Sequence, residues 1–280
     1  MNHFRFTRSY LGPVRACILD WSGTTIDKYV LAPATVFVQV FQKFKVPITM
    51  KEARVPMGLR KDQHIREIMR MPAVSQRWQE AYGRPPTEQD VQALFKELLP
   101  MQLSVLRQYG ELIPGTAQAA RQLREELGCR IGVTTGFFRS MADIVREEAV
   151  RQGFVPDADV TGDEVANGVR PKPFMLFRNL ELLDVDLVQA VVKVDDTVPG
   201  VGEALNAGCW AVGVARYSNY MDVDSLEHEA RLTPQDVQER LERTRELLRA
   251  AGAHYVIDSL ADLPEVVADV NRRLASGEKP

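Results

Sequence analysis

The sequence predicts an α/β protein, a doubly wound parallel sheet interrupted early by a helical insertion. Two observations carry this reading. Short apolar runs that end in a carboxylate, a threonine or a glycine turn recur along the chain with helical stretches between them, the alternation expected of parallel β and α elements. After the first of these runs, however, about 80 residues show helical spacing alone.

The first run is "VRACILD" (14–20), followed by the turn "SGTT". A buried parallel strand of this kind delivers Asp20 to the carboxyl edge of the sheet, where open α/β sheets bind ligands. From Pro33 to about Glu111 the pattern is helical, with Val36, Phe37, Val40, Phe41 and Phe44 on one stripe and Val91, Leu94, Phe95 and Leu98 on another. Pro114 and Gly115 open the next helix, Gly128 closes it, and "CRIGVTTG" (129–136) is a strand and turn. "QAVVKVDDT" (189–197), "CWAVGVA" (209–215) and "AHYVID" (253–258) read as further strands. Thr233 caps an exposed, charge-rich helix whose charges form a solvated face. The division that follows is an α/β core of residues 1–30 and 112–280 with a helical cap of residues 31–111.

Composition narrows the function class. With 280 residues, 45% hydrophobic and 26% charged, the chain suits one large globular domain or two unequal ones. A net charge of -3 lacks the basic excess of a nucleic-acid binder, so the expected partner is a small molecule. No apolar run is long enough to cross a bilayer, and the N-terminal segment lacks the apolar stretch of an export signal. Cys17, Cys129 and Cys209 are far apart and border apolar runs, as buried thiols do in a reducing cytoplasm.

Parallel topology brings four polar groups to one edge: Asp20, the pair Thr134 and Thr135, Arg170 in "GVRPKP", and Asp195–Asp196. Each alone is an ordinary turn or cap residue. Together, in this order and spacing, they resemble the four loop motifs of the haloacid dehalogenase superfamily, whose core is Rossmann-like and whose cap is inserted after the first strand. That resemblance implies Asp20 as nucleophile, Thr135, Gly136 and Arg170 around the phosphoryl oxygens, and Asp196 joining Asp20 in binding Mg²⁺. Phosphoryl transfer needs these parts: a nucleophile in line, donors for the equatorial oxygens, and a hard cation held by oxygen ligands. The backbone carbonyl of Ser22 suits as one more such ligand.

Ser22 poses the sharper question. Two residues after the nucleophile, hydrolases of phosphate esters carry an aspartic acid that protonates the departing alkoxide, and serine is no acid near pH 7. A carbon leaving group avoids that need, because a lysine imine turns an adjacent carbonyl into an electron sink. The insertion offers such a lysine in "ARVPMGLRKDQHIREI" (53–68), where Lys61 and His64 share one face of a helix. Alone, the pair reads first as surface charge on a helical face. Desolvation and a neighbouring cation such as Arg60 would lower the Lys61 pKa, and His64 would move protons.

"DWSGTT" and "PMGLRKDQH" together are similar to the phosphonatase (phosphonoacetaldehyde hydrolase) family, as are "TTGF" and "RPKP", over about Cys17 to Leu263. The resemblance implies hydrolysis of a carbon–phosphorus bond through a Schiff base on Lys61 and an aspartyl phosphate on Asp20. It also implies Met57 at the entrance to the site, a small phosphonate substrate and a homodimer joined through cap helices. Five positions depart from the family pattern. Serine replaces alanine at 22, Phe137 stands where tyrosine is common, and Val30 where some members have cysteine. "DDTVPG" carries Asp195 in place of glycine and Gly200 in place of a second acid; since neighbouring strand residues point to opposite faces, Asp195 is expected to be a poor substitute. Trp21 reads either as a shield for the cavity or as plain packing. The competing functions are a Mg²⁺-dependent phosphatase or phosphomutase, against which Ser22 argues, and a non-catalytic ligand-binding relative.

Overall fold

The computed structural model describes residues 10–280; the first nine positions of the predicted core segment lie outside them. Six strands form one parallel sheet: β1 (Ala16–Asp20), β2 (Arg130–Thr135), β3 (Ala158–Thr161), β4 (Val191–Asp195), β5 (Trp210–Val214) and β6 (Tyr255–Ile257). Their order is β3-β2-β1-β4-β5-β6. The chain winds outward from β1 through β2 and β3, then returns to place β4 on the other side of β1. Strand order reverses there, and a crevice opens at the carboxyl ends of β1 and β4. The sequence reading lacks β3. "ADVT" has only four residues, two of them polar, and reads as a strand only when its register against Gly132–Thr135 is known.

Five helices make up the insertion after β1: α1 (Leu31–Lys43), α2 (Met50–Arg54), α3 (Lys61–Arg70), α4 (Pro72–Tyr82) and α5 (Glu88–Val105). The stripe of Val36, Phe37, Val40 and Phe41 on α1 is buried and packs with Leu94 and Leu98 of α5. Capping boxes at Thr49–Glu52 and Thr87–Asp90 start α2 and α5. α6 (Thr116–Glu125) leads from the insertion into β2, and the remaining helices follow the later strands: α7 (Arg139–Arg151), α8 (Phe174–Leu182), α9 (Val198–Ala207), α10 (Leu226–Glu229), α11 (Pro234–Ala250) and α12 (Leu263–Ala275). Thr233 caps α11 as its sequence predicts. Trp21 packs edge-on against Phe154 with ring centroids 5.6 Å apart, so it belongs to the core beneath the site. All three cysteines are buried, and no described helix is long and apolar enough to cross a membrane.

The chain passes from β1 to α1 through a strained turn. Asp27, Tyr29 and Val30 have φ of 56°, 63° and 56°, a region that β-branched residues such as valine rarely enter. The Asp27 carboxylate holds this turn by accepting hydrogen bonds from the backbone N–H groups of Leu31 and Ala32. A second tie comes from Arg54 at the end of α2, which is 3% exposed. Its guanidinium donates to the carbonyls of Tyr29 and Val223 and to the Asn219 side chain, and Asn219 returns a bond to the Arg54 carbonyl. Asp224 stands 3.6 Å away. Arg54→Met leaves those buried acceptors without a donor, and urea unfolding should show a loss of about 3 kcal/mol. A loss below about 1 kcal/mol would show that the tie is incidental.

Candidate active site

The carboxyl ends of three strands meet under the helical insertion. β1 brings Asp20, β2 brings Thr134 and Thr135, and β4 ends in Asp195 with Asp196 directly beyond it. Of the nine residues singled out in the sequence, eight line one cavity: Asp20, Ser22, Met57, Lys61, Thr135, Gly136, Arg170 and Asp196. His64 is the exception. It is fully buried and stacked on Phe37, ring centroids 3.9 Å apart, with its Nε2 at 2.8 Å from the Ala53 carbonyl. A carbonyl only accepts, so Nε2 carries the proton and Nδ1 keeps its lone pair, buried and without a partner.

Two glycines bring the insertion down onto the sheet edge. Gly58 has φ +93°, and a Cβ there would come within 2.8 Å of the Thr197 hydroxyl. A Cβ on Gly136 would come within 2.9 Å of the Leu59 carbonyl. The Met57–Leu59 loop is thus seated against the core at both points, with Lys61 starting the helix just beyond it.

Arg170 organises the floor. Its guanidinium donates to Asp20 Oδ1 at 2.9 Å, to the Thr134 carbonyl at 2.8 Å and to Glu203 Oε2 at 3.1 Å. Its remaining terminal nitrogen lies 3.2 Å from Asp195 Oδ2. Three of its five N–H groups thereby donate to protein acceptors, and the remaining nitrogen is paired with the Asp195 carboxylate. Lys193, inside β4, pairs with Asp195 at 2.9 Å and approaches Glu203 at 3.6 Å. Lys193 and Glu203 were missed in the sequence. A lysine within the apolar run "VVKVDD" is the signal that could have found the first; nothing in α9 marks the second.

Asp195 corrects an expectation. Ligand atoms of Asp20, Asp195 and Asp196 lie within 4.8 Å of one another. The alternation argument fails because β4 ends at Asp195, so Asp196 already belongs to the following turn. Burial pushes the Asp20 carboxyl up, more than Arg170 pulls it down. Asp196 is pushed up strongly, by burial and by the like charges of Asp195 and Asp20. Burial acts on Asp195 too, but Arg170 and Lys193 outweigh it and hold that carboxyl below its ordinary value.

The four buried carboxylates Asp20, Asp195, Asp196 and Glu203 face two buried cations, Arg170 and Lys193, on this floor. The excess is negative, and Asp196 Oδ1 is buried with no partner. Carboxylates in excess, one with an oxygen unengaged, fit a hard divalent metal ion, which lowers their mutual repulsion.

Lys61 faces this floor from the insertion. Burial lowers its pKa to about 8; Asp20 and Asp27 pull it upward, and Arg170 opposes them. Arg60, expected to assist from the sequence, is instead clamped by both oxygens of Asp62, and the cation that acts on Lys61 is Arg170. The Lys61 ammonium lies 5.0 Å from the Phe137 ring centroid and 5.4 Å from that of Phe37. Phenylalanine at 137 therefore still touches the lysine, through its ring face. His64 is held well below its ordinary pKa by burial and by the Lys61 charge. Asp27, also unforeseen, is raised to about 7 by burial, and its oxygens serve the N–H groups of Leu31 and Ala32.

Comparisons with known proteins agree with this geometry. Residues 14–208 match the family model described as hydrolase, haloacid dehalogenase-like hydrolase. A curated protein named phosphonoacetaldehyde hydrolase from Klebsiella pneumoniae is 43% identical over 95% of this chain and 99% of its own length. One of the same name from Salmonella agona is 42% identical over 95% of this chain and 99% of its own. The crystal structure of a phosphonoacetaldehyde hydrolase-like protein from Oleispira antarctica superposes with a TM-score of 0.94 at 38% identity, covering 100% of both chains. The chain belongs to the haloacid dehalogenase-like hydrolases and, within them, to the phosphonoacetaldehyde hydrolase family.

Proposed function

We propose that this enzyme hydrolyses the carbon–phosphorus bond of phosphonoacetaldehyde to acetaldehyde and phosphate, through an imine on Lys61 and a phosphoryl group on Asp20. The observation that carries the proposal is a fully buried amine with a pKa of about 8, facing a strand-end aspartate across a small cavity that has serine at position 22. An amine of ordinary pKa would be almost wholly protonated at neutral pH and unable to attack a carbonyl.

The Lys61 amine adds to the aldehyde and expels water, leaving a protonated imine beside the ring faces of Phe37 and Phe137. His64, neutral and with its Nδ1 lone pair unengaged, assists the proton movements of this step. A carboxylate oxygen of Asp20 then attacks phosphorus. The bonding pair of the C–P bond moves to the methylene carbon and on into the imine, so the leaving group is a neutral enamine and Ser22 has no proton to supply. Protonation of the enamine carbon and hydrolysis release acetaldehyde and restore Lys61. A second water cleaves the phosphoryl-aspartate to phosphate and restores Asp20. Arg170 keeps the Asp20 carboxylate turned to the cavity throughout, and the Thr135 hydroxyl and the Gly136 N–H line the place for the phosphonate oxygens. Mg²⁺, when bound by Asp20, Asp196 and the Ser22 carbonyl, supplies positive charge that reduces repulsion between carboxylate and phosphonate. In this reading residues 31–111 are a cap whose Met57–Leu59 loop closes on the core during imine formation and C–P cleavage. The proposal includes a homodimer joined through cap helices and a cytoplasmic setting, in keeping with three buried free thiols.

A phosphatase of this fold must protonate an alkoxide. Asp27, the one acid beside Ser22 with a pKa near 7, already serves backbone N–H groups at the start of α1. Incubation with phosphonoacetaldehyde and Mg²⁺ followed by borohydride should leave a reduced adduct on the peptide carrying Lys61, with phosphate released in parallel reactions. Lys61→Arg should lose both, whereas Asp20→Asn should keep the adduct and lose phosphate release. Brisk hydrolysis of ordinary phosphate esters that survives Lys61→Arg would overturn the assignment. The pH dependence has a definite sign: the reactive amine is the deprotonated form, so the rate of adduct formation should rise about tenfold per pH unit below 8 and level off above it. A rate that falls between pH 6 and 8 is incompatible with Lys61 as the nucleophile.

A further inference from the structure

Asp196 stands in the turn between β4 and α9, and a second turn, residues 218–221 after β5, grips it. The Ser218 hydroxyl donates to the Asp196 carbonyl at 2.9 Å, and the Asn219 N–H donates to Asp196 Oδ2 at 2.9 Å. The Val198 N–H, at the start of α9, donates to the Tyr220 hydroxyl at 3.0 Å. Asp196 Oδ2 is thereby fixed, while Oδ1 stays buried without a partner. Asn219 is the one residue of this grip that also binds the insertion. Its side-chain oxygen accepts from the Arg54 guanidinium at 3.2 Å, and its side-chain nitrogen donates to the Arg54 carbonyl at 3.1 Å. Both ends of the amide are spent on Arg54, so the Asn219 backbone that serves Asp196 is held in place from α2.

A second seat of the insertion lies close by. At Gly58, just beyond α2, a Cβ would come within 2.8 Å of the hydroxyl of Thr197, the residue after Asp196. The insertion thus rests on two residues that adjoin Asp196, and Lys61 opens α3 directly past the second of them. We infer that Arg54 and Asn219 are positioning residues for Asp196, so that the seating of the insertion, and with it the place of Lys61, is coupled to divalent-metal affinity on the floor. Arg54 acts through Asn219, since its own bonds go to Tyr29, Asn219 and Val223. Such coupling is reciprocal: a cation held by Asp196 steadies α2 and the 57–59 loop by the same factor by which their seating favours the cation.

The inference rests on the proposed reading of Asp196 as a Mg²⁺ ligand. The experiment measures Mg²⁺ affinity by calorimetry, with Mg²⁺ alone and well below the unfolding temperature, in wild type, Asn219→Ala, Arg54→Met, the two combined, and Leu94→Ala. Asn219→Ala should weaken Mg²⁺ binding about tenfold, and Arg54→Met about fivefold or more. Because the two residues form one relay, the combined variant should bind within about twofold of the weaker single one. Leu94 is buried inside the insertion, away from these bonds, so Leu94→Ala should lower Tm yet bind Mg²⁺ within about twofold of wild type. Hydrogen exchange reads the reverse direction: Mg²⁺ should slow exchange across Met50–Arg54 and the 57–59 loop about threefold or more in wild type, and not in Asn219→Ala. Where a variant does not fold, Arg54→Lys, which keeps the charge and loses the fork, or Asn219→Ser takes its place, with an expected loss of about threefold or more. Mg²⁺ binding within about twofold of wild type in the Asn219 and Arg54 variants would overturn the inference. So would additive losses in the combined variant, an equal loss in Leu94→Ala, or the same slowing of exchange with and without Asn219. Failure of the underlying reading looks different: Asp196→Asn would then bind Mg²⁺ as wild type does, whereas failure of the coupling alone leaves Asp196→Asn unable to bind it.

Discussion

The rest of the site depends on burying Arg170 among carboxylates. A guanidinium 2% exposed is tolerable only because Asp20, Asp195 and Glu203 surround it, and those carboxylates are tolerable only because Arg170 and Lys193 lie between them. Each group contributes more than charge. Arg170 fixes the side chain of Asp20, Lys193 anchors Asp195 from within β4, and Glu203 ties both cations to α9. The arrangement spans β1, β2, β4, the loop before α8, and α9, so the reactive edge of the sheet is one ionic cluster with fixed geometry. Its residual negative charge is what makes a divalent cation a natural occupant.

Above this floor the chemistry is of the opposite kind. The lowered pKa values of Lys61 and His64 come chiefly from burial, with the aromatic faces of Phe37 and Phe137 beside the amine and the Phe37 ring stacked on His64. A charged floor and an apolar ceiling are suited to different halves of one molecule, an anionic phosphonate below and a carbonyl above. The two halves meet where Gly58 touches Thr197 and Gly136 touches Leu59. Arg54 adds a link of its own, since the Asn219 that binds it also donates its backbone N–H to Asp196. The seating of the insertion and the orientation of the Asp196 carboxylate therefore share one residue.

Much of this was legible in the sequence, because it rests on local patterns. Apolar runs ending in Asp20, Thr135 and Asp195 marked strands whose polar ends share an edge, and helical spacing from Pro33 to Glu111 marked the insertion. Lys61 and His64 fell on one helix face, and Ser22 raised the question of the leaving group. Strand β3 escaped because four residues carry too little period, and its identity lies in its pairing with β2.

What only the tertiary structure decided are relations between side chains distant in sequence or at the end of an element. Strand alternation predicts where Asp195 points only while the strand continues, and it stops there. The cation acting on Lys61 proved to be Arg170, 109 positions away, while the adjacent Arg60 is held by Asp62. Glu203 has no pattern to announce it, since its partners come from β2, β4 and the loop before α8. By itself the sequence determined the periods, the breaks and the residue types available for chemistry, because these depend on neighbours along the chain. Which carboxylate stands beside which cation, and which amine loses its water, depends on burial that exists only once the sheet and the insertion have closed on each other.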